Sequence, residues 1–575
     1  MVLGKHFIND IESPVEQALK CLLELNPNLG LIESHKVIYN RAANPDKVVL
    51  ISGGGSGHEP AHAGFVGNGM LDVAVAGDIF ASPSAAQILV GLKAIESSKG
   101  TLMIVKNYTG DKLNFGLAAQ KARSQGQQIS VVFVNEDASL NGSSLVGRRG
   151  LAGTVFVHKI AGAAAAKGWS LEEVTRVAQK VADNVATVGV SLDRCSVPGR
   201  KGEVGLAEGE VEYGMGIHNE PGVQRSPLPP LSKTISTTLS YLLSSTSPLP
   251  NLPPQTPLAI LINNLGGLSI LELNVISSAL LTALRSSPYN FTHILRKYTG
   301  TFMTSLDGPG FSITILKLDD EILSLLDSPT EVQSWPKPLP QSTSPISSQI
   351  TPSPPSPPKE EQTPLPHLPI SPQTLTRITN SLHLKIQHLE PTITTYDTLL
   401  GDGDCGTTLL KGVTAIHTPQ QEINTTDLST TFSSISHIVE ETMGGTSGAL
   451  YGIFLNAFVN NLRSSPPSDG DIKAIFQKSL KGALDELCTF TLARKGHRTL
   501  MDTLIPFVET FSDTGDLKAA VEEARKGCES TKKMEAKLGR ASYVNTELVE
   551  KDGGVVDPGA LGLLGILEVL GEELA

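Results

Sequence analysis

Apolar and polar positions divide the chain into halves with different periodicities. Between Lys47 and Glu136, the apolar runs VVLIS, DVAVAG, TLMIVKN and ISVVFVN alternate with helix-like stretches. Strands that alternate with helices predict a largely parallel α/β sheet, whose ligands gather at the carboxyl ends of the strands. Ala152–Val190 has a helical period, and Ser170 followed by Glu173 matches a capping box.

A second α/β segment precedes an abrupt change of composition. PLAILINN, Thr301–Ser305 and FSITILKL are strand-like, and Leu271–Leu284 has a helical period. Pro, Ser, Thr and Gln then dominate Ser328–Pro372, which lacks the apolar surface needed to offset its ordering entropy. We therefore predict two α/β subdomains over 1–195 and 196–327, a linker over 328–372 and a last domain over 373–575.

The last domain is predicted to be all-α, because its apolar positions recur with the helical period and no confident series of strands appears. The predicted helices are Thr374–Leu389, Leu428–Met443, Ala449–Leu462, Ile472–Leu487, Thr499–Phe511, Leu517–Lys537 and Gly559–Glu573.

Three polar loops in the N-terminal half carry candidate chemistry. The loop Ser52–Pro60, SGGGSGHEP, follows a strand and presents His58, but no Lys-Ser/Thr follows its glycines, so it is not a Walker A loop. Asp111 follows the next strand end and favours a chemical role for His58 over a helix-entry histidine with no task. His218 lies among glycines in YGMGIHNEPG, which indicates a histidine presented by a loop.

The stretch TTYDTLLGDGDCGTT places Asp397, Asp402 and Asp404 among glycines and hydroxyls. Clustered carboxylates repel one another unless a hard cation such as Mg²⁺ binds them. The flexible backbone, with Thr407 and Thr408, can meet phosphate oxygens, which together predicts a metal–nucleotide site.

This stretch alone leaves two other interpretations open. Its glycines fit a dinucleotide fingerprint with Glu422 as the ribose-binding acid, although the aspartates would repel a pyrophosphate. An acidic surface turn is the other alternative. An EF-hand is excluded, because Val413 stands where the closing Glu belongs.

Further loops between the predicted helices suit anion binding. Gly-Thr-Ser before an apolar helix offers N–H groups and hydroxyls, and Arg498 and Arg540 are candidates to clamp phosphates. For each loop the alternative is an ordinary helix–helix connection. The loops are Gly444–Tyr451, Lys495–Asp502, Gly539–Tyr543 and Asp557–Ala560.

Composition narrows the functional classes. The net charge of −12 argues against a nucleic-acid partner. Five dispersed cysteines without a C-x-x-C pair suggest neither a disulfide framework nor a zinc site, which indicates a reducing compartment. The start MVLGKHFIND has no apolar signal core, so we expect a cytoplasmic protein without a membrane partner.

Together, SGGGSGHEPAHAGFVG, GDKLNFG, GRRGLAGT, GIHNEPG, NNLGG, GDGDCGTT, GGTSGALY, GRASY and DPGA resemble the ATP-dependent dihydroxyacetone kinases. The resemblance covers nearly the whole chain except the linker. It implies an N-terminal half that binds the ketone covalently, an α-helical barrel that holds ATP and Mg²⁺, and a homodimer.

The resemblance also implies a role for each matching residue. His218 would add to the substrate carbonyl as a hemiaminal, and Asp111 and His58 would transfer protons. Gly55, Ser56, Gly57 and Lys106 would line the same pocket. Asp397, Asp402 and Asp404 would hold Mg²⁺. The implied nucleotide-binding residues are Gly401, Asp402, Gly403, Asp404, Thr446, Ser447, Arg498, Thr499, Asp557, Pro558 and Gly559.

Two departures from the family pattern are Asn219, where many relatives have Gly, and His497, where an Asp is common. Glyceraldehyde and related short ketoses, including four-carbon ketoses, are further candidate substrates. The alternatives are an FAD-splitting, cyclic-FMN-forming activity with Mn²⁺ and a non-catalytic regulatory role.

Overall fold

The computed structural model describes residues 6–8, 12–142, 145–199, 205–337, 370–418, 423–425, 427–464, 472–537 and 554–574. The chain separates into two compact units, Met1–Ser347 and Ser348–Ala575. The first unit contains two sheets covered by helices, and the described part of the second is helical. The predicted fold class is therefore confirmed.

The first sheet has six strands in the order β1-β2-β4-β3-β5-β6. Its strands are β1 (Leu29–Ile32), β2 (Val37–Asn40), β3 (Val49–Ser56), β4 (Val73–Ile79), β5 (Thr101–Lys106) and β6 (Ile129–Val134). The four strands expected from the apolar runs, β3 to β6, are parallel to one another, whereas β2 is antiparallel to both β1 and β4. The sheet is consequently mixed.

Five of the described helices cover this sheet. They are α1 (Pro14–Leu25), α2 (Ala85–Ala94), α3 (Thr109–Ser124), α4 (Thr154–Ala166) and α5 (Leu171–Ala182). The predicted capping box is confirmed, since Ser170 and Glu173 bond each other's backbone N–H groups. Small residues let α4 pack closely: a Cβ on Gly162 would lie 2.4 Å from the Cα of Met70.

The second sheet, of order β11-β10-β12-β7-β8-β9, corrects two predictions. Val185–Ser191 is a strand, not the end of a helix, because its apolar residues are buried between neighbours in the sheet. Thr301–Ser305 is a loop that follows a strand. The strands are β7 (Val185–Ser191), β8 (Glu210–Tyr213), β9 (Gln224–Pro227), β10 (Leu258–Asn264), β11 (Ile294–Gly300) and β12 (Gly310–Lys317).

The helices of this second part are α6 (Leu231–Leu242), α7 (Ile270–Arg285) and α8 (Asp320–Leu326). The predicted linker starts too early at Ser328, because Val332 and Trp335 are buried in the core of the first unit. The rest of the predicted linker, from 338 to 369, lies outside the described residues.

The eight described helices of the second unit form a closed ring. They are α9 (Pro372–Leu400), α10 (Cys405–His417), α11 (Leu428–Thr442), α12 (Gly445–Arg463), α13 (Ile472–Phe490), α14 (Met501–Thr514), α15 (Leu517–Ser530) and α16 (Pro558–Leu574). Each helix packs against the next, and α16 packs against α9, which is a helical barrel. None of the described helices is both long enough and apolar enough to cross a membrane.

Two differences from the predicted helices concern the Asp-rich stretch. The first helix continues through Pro391 to Leu400, beyond the predicted end at Leu389. Cys405–His417 is a helix that the sequence analysis did not predict. The aspartates therefore occupy a tight connection between two helices of the barrel.

Candidate active site

The parallel pairing of β3 and β5 brings the first two polar loops together. Ser52 of β3 pairs with Ile104 of β5, so both strands end at the same edge of the sheet. His58 lies two residues after the end of β3. Lys106 is the last residue of β5, and Asp111 follows in the first turn of α3. His218 comes from the loop after β8 in the second sheet.

The two predicted histidines lie in direct contact. The Nε2 atoms of His58 and His218 are 3.0 Å apart, and the rings meet edge to face with centroids 4.6 Å apart. His58 Nδ1 bonds the carbonyl of Thr304 at 2.9 Å. Burial, with the nearby Lys106 cation, holds the pKa of His58 well below its usual value.

Two aromatic rings fix the orientation of the His218 imidazole. Tyr108 and Phe80 pack edge to face on it, with centroids 4.6 and 5.2 Å away, and Phe80 also stacks on His58. These contacts confine the ring to one plane with its Nε2 atom toward His58.

Lys106 and Asp111 form a buried pair of opposite charge around Gly54. A Cβ on Gly54 would lie 3.5 Å from both Lys106 Nζ and Asp111 Oδ2. Burial lowers the pKa of Lys106 and raises that of Asp111, and their mutual attraction opposes both shifts. Ser82 donates a hydrogen bond to Asp111, whereas Lys106 Nζ is buried without a hydrogen-bond partner. An unpartnered buried ammonium indicates a site for an oxygen-bearing ligand.

The three residues predicted to line the pocket at Gly55–Gly57 hold the loop in place. Ser56 Oγ donates to the carbonyl of Gly77 at 2.8 Å, and the carbonyl of Gly57 accepts from Leu306 N at 2.8 Å. A Cβ on Gly55 would lie 2.7 Å from Ala81 N, so glycine permits this approach. Their contact with substrate stays a prediction.

Glu220 is a site residue that the sequence analysis missed. Its two carboxylate oxygens accept hydrogen bonds from His218 Nδ1 at 2.9 Å and from His218 N at 2.8 Å. Burial alone would raise the pKa of Glu220, but the bonds and charge of His218 bring it down to about 2. The sequence signal was an acid two positions after the histidine.

The departure at Asn219 keeps the loop geometry. Asn219 has φ +65°, a left-handed conformation that asparagine tolerates better than most residues. Its side chain accepts from Cys195 N at 2.9 Å, which ties the loop to the segment after β7.

In the second unit, the three predicted metal ligands converge. Asp397 near the end of α9, Asp402 in the connection and Asp404 at the cap of α10 each have an oxygen within 4.8 Å of the others. Asp397 also accepts a hydrogen bond from Cys405 N at 2.9 Å. Such a set of oxygen donors fits a hard divalent cation.

Glycines permit the tight connection between α9 and α10. Gly403 has φ +79°, and a Cβ on Gly401 would lie 2.9 Å from Asp397 Oδ1. A side chain at either position would displace the carboxylates.

Other predicted nucleotide residues lie in the second unit near this connection. Ser447, in the first turn of α12, is 3.9 Å from Cys405 Sγ, which brings the N-termini of α10 and α12 close together. Thr446 is exposed in the same turn of α12. Helix N-termini of this kind attract phosphate groups.

The loops before α14 and α16 place the buried Arg498 near the partly buried Asp557. Arg498 Nη2 donates to Val555 O at 3.1 Å, and its Nε is buried without a hydrogen-bond partner. Burial raises the pKa of Asp557 to about 7, an effect that Arg498 opposes. Asp502 fixes the first loop by accepting from the backbone N–H groups of Gly496 and Thr499.

Of the remaining predicted site residues, some lie in the loops before α14 and α16, and others fall outside the described residues. Gly559 lies next to Asp557, where a Cβ would be 3.2 Å from its Oδ1, and Pro558 begins α16. His497 lies in the loop before α14, and its carbonyl accepts from Lys537 N at 3.3 Å. Glu422 and the loop Gly539–Tyr543, with Arg540, fall outside the described residues.

Comparisons with known proteins agree with this arrangement. Residues 20–334 match the Dak1 domain and residues 399–572 match the DAK2 domain. The chain is 42% identical to a dihydroxyacetone kinase of Pichia angusta, over 99% of this chain and 98% of that protein. It is 36% identical to a mouse (Mus musculus) protein named triokinase/FMN cyclase, over 99% of both chains.

A solved structure also matches nearly the whole chain. The dihydroxyacetone kinase from C. freundii, in complex with AMP-PNP and Mg²⁺, superimposes with a TM-score of 0.62 at 32% identity, over 97% of this chain and 98% of that one. With both domains matched in one chain and identities above 30% over almost its full length, the protein belongs to the dihydroxyacetone kinase family.

Proposed function

We propose that this protein phosphorylates dihydroxyacetone with ATP, giving dihydroxyacetone phosphate, and that it holds the ketone as a hemiaminal on His218. The contact of His218 Nε2 with His58, beside the unpartnered Lys106 ammonium, is the observation that carries the proposal. A ring nitrogen fixed in orientation is a nucleophile, and a buried cation attracts the oxygens of a small polyhydroxy ketone.

His58 and Asp111 supply the proton transfers. His58 Nε2 faces the nucleophilic nitrogen, where it can give a proton to the carbonyl oxygen as the C–N bond forms. Asp111 has a raised pKa and lies beside Lys106, which suits a base that takes the proton of the substrate hydroxyl during phosphoryl transfer. Lys106 would bind a hydroxyl oxygen and orient it.

The nucleotide is assigned to the second unit. Asp397, Asp402 and Asp404 would hold Mg²⁺, which when bound neutralises phosphate charge during transfer. The first turn of α12, with Thr446 and Ser447, and the Arg498–Asp557 pair would surround the phosphates. The C. freundii relative was solved with AMP-PNP and Mg²⁺, which supports ATP and Mg²⁺ for this chain.

The finer expectations rest on the family resemblance. They are a homodimer in the cytoplasm, activity on glyceraldehyde or related short ketoses, and use of Mn²⁺ as an alternative metal. The net charge of −12 supports the absence of a nucleic-acid partner.

An ADP-release assay tests the proposal. Dihydroxyacetone, glyceraldehyde and 3,4-dihydroxy-2-butanone are compared, with glycerol as the control that lacks a carbonyl. We expect Mg²⁺-dependent ADP release with the carbonyl compounds and a rate orders of magnitude lower with glycerol. ADP release that is equal for glycerol and dihydroxyacetone would refute the covalent proposal.

The name of the mouse relative, triokinase/FMN cyclase, favours a second activity, the splitting of FAD to cyclic FMN. Incubation of the protein with FAD and Mn²⁺, with cyclic FMN as the measured product, tests this activity. A purely regulatory role is disfavoured, because a binding protein would not need His218, Asp111 and the three aspartates together.

A further inference from the structure

Three hydrogen bonds run in series through the two histidines. Glu220 Oε1 meets His218 Nδ1 at 2.9 Å, the two Nε2 atoms meet at 3.0 Å, and His58 Nδ1 meets Thr304 O at 2.9 Å. A carboxylate and a peptide carbonyl only accept hydrogen bonds. Both Nδ1 atoms must therefore carry hydrogen.

This series of hydrogen bonds determines how many N–H hydrogens His58 and His218 carry together. Two neutral imidazoles carry one N–H hydrogen each, and the two ends of the series already use both. The Nε2 lone pairs would then face each other across 3.0 Å, which is repulsive. We infer that the resting site holds one additional proton between the two Nε2 atoms, with the Glu220 carboxylate as its counter-charge, and that Glu220 is a positioning residue for the covalent step.

The surrounding charges place this proton on His218. His58 is fully buried and faces the Lys106 cation, which disfavours a positive charge on its ring. His218 instead faces Glu220, whose low pKa keeps it ionised. The other charged groups around the pair are Asp111, which lies beside Lys106, Glu59, whose carboxylate accepts from Gly57 N, and Arg149, which pairs with Asp137.

The stored proton balances the covalent step that the proposed function requires, and the inference about catalysis rests on that function. His58 takes the Nε2 proton of His218, and the freed lone pair forms a bond to the carbonyl carbon. The C=O π pair moves to oxygen, which receives the proton back from His58. His58 ends neutral, and the alkylated His218 ring keeps one positive charge opposite Glu220. No outside acid or base is needed.

Glu220 is held rigidly enough to perform this role. Its second oxygen accepts from His218 N at 2.8 Å, and its carbonyl accepts from Gly216 N at 3.0 Å. The carboxylate is thereby fixed relative to the backbone that carries the ring. It sets the Nδ1–H form of His218 and stabilises the imidazolium before and after addition.

The test compares Glu220→Gln with Glu212→Gln in the full-length protein. Glu212 is buried and anchors the same loop through Gly222 N at 2.8 Å, but it pairs with Arg194 and not with His218. In substrate-free wild type at neutral pH, ¹⁵N NMR of labelled histidine should show His218 protonated on both nitrogens. That signature should be lost in Glu220→Gln and kept in Glu212→Gln.

The kinetic readout is the rate of adduct formation with dihydroxyacetone, followed by mass spectrometry. We expect a loss on the order of 10²-fold or more in Glu220→Gln, since removing the carboxylate behind a catalytic histidine has effects of that size or larger in hydrolases. Mg-ATP affinity should be unchanged in both variants. Glu212→Gln should form the adduct at nearly the wild-type rate.

Several outcomes would overturn the inference. A His218 ring that carries only one N–H hydrogen in the wild type, on either nitrogen, would do so, and this measurement needs no variant to fold. Equal adduct rates for folded Glu220→Gln and wild type would also do so. If instead the wild type shows the doubly protonated ring but forms no adduct with any carbonyl compound, the stored proton is supported and the proposed function fails.

Discussion

Buried ionisable side chains are concentrated around β5 and its neighbours. Glu136 lies two residues after the end of β6. Its Oε1 accepts a hydrogen bond from Leu151 N at 2.9 Å, and its Oε2 is buried without a hydrogen-bond partner. Burial raises its pKa from 4.5 to about 7. The folded protein therefore binds this proton more tightly than the unfolded chain does, and stability depends on pH in a definite direction.

We predict that the free energy of unfolding falls less between low and high pH in Glu136→Gln than in the wild type. In the wild type, the protonated carboxyl contributes its full stabilisation below pH 4.5, and this contribution is lost as the pH rises through about 7. The difference corresponds to at most about 3 kcal/mol. Urea unfolding at pH 5 and 8 should show a smaller decrease in the variant than in the wild type.

The exposed Glu96→Gln is the matched control, since it removes the same charge from the surface. It should follow the wild type at both pH values. A decrease in Glu136→Gln equal to that of the wild type would show that Glu136 titrates normally in the folded protein.

The sequence indicated the reacting side chains but not the residues that hydrogen-bond to them. His58, Asp111 and His218 were recognised from loops at strand ends and from flanking glycines. Thr304 could not be recognised, because it lies 246 positions from His58 in an ordinary loop. Glu220 carried only a weak signal, since an acid in a turn is usually a solvated surface residue.

Elements with regular periodicity were predicted well, and the errors have physical causes. β7 (Val185–Ser191) follows α5 after only a short turn, so its apolar residues extended the helical period of the preceding segment. α9 continues through Pro391 and α10 begins at Cys405, where glycines and aspartates suggested a loop. Packing of both helices within the barrel overrides these local preferences.

The connection between α9 and α10 carries Asp402 and Asp404, two of the three proposed metal ligands. Asp402→Asn or Asp404→Asn removes one of three converging carboxylates, so Mg-ATP affinity should fall at least about tenfold. Adduct formation with dihydroxyacetone should be unchanged, because His218 belongs to the other unit. Calorimetry with Mg-ATP measures the first effect and mass spectrometry the second.

Asp513→Asn, an exposed acid near the end of α14, serves as the control for charge removal. It should bind Mg-ATP like the wild type. Wild-type affinity in both Asp402→Asn and Asp404→Asn would exclude the Asp-rich connection from nucleotide binding.

The two units have separate hydrophobic cores. Among the described residues, the buried clusters of the first unit fall between Val15 and Trp335, and those of the second between Ile386 and Leu567. No cluster of described residues mixes the two sets. Each unit therefore has the core needed to fold alone.

We predict that fragments 1–337 and 370–575 fold separately and regain part of the kinase activity when mixed. The first fragment must include Val332 and Trp335, which the predicted linker boundary at 328 would remove. Activity should rise with fragment concentration, because the covalent connection supplies effective concentration. Circular dichroism and ADP release measure the two effects.

A first fragment that ends at 327 is the informative comparison. This fragment lacks Trp335, which packs against Tyr298, so its melting temperature should be lower than that of fragment 1–337. Folded fragments that remain inactive at every concentration would show that the segment between them contributes more than a connection.

The central claim, covalent capture of the ketone by His218, can be measured directly on the intact protein. After incubation with dihydroxyacetone, native mass spectrometry and peptide mapping should show one whole substrate added at His218 without loss of water, because a hemiaminal keeps the carbonyl oxygen. His218→Ala should show no adduct while it still binds Mg-ATP, and glycerol should add to neither protein. An adduct that persists in His218→Ala, or one that has lost water and maps to Lys106, would contradict the account.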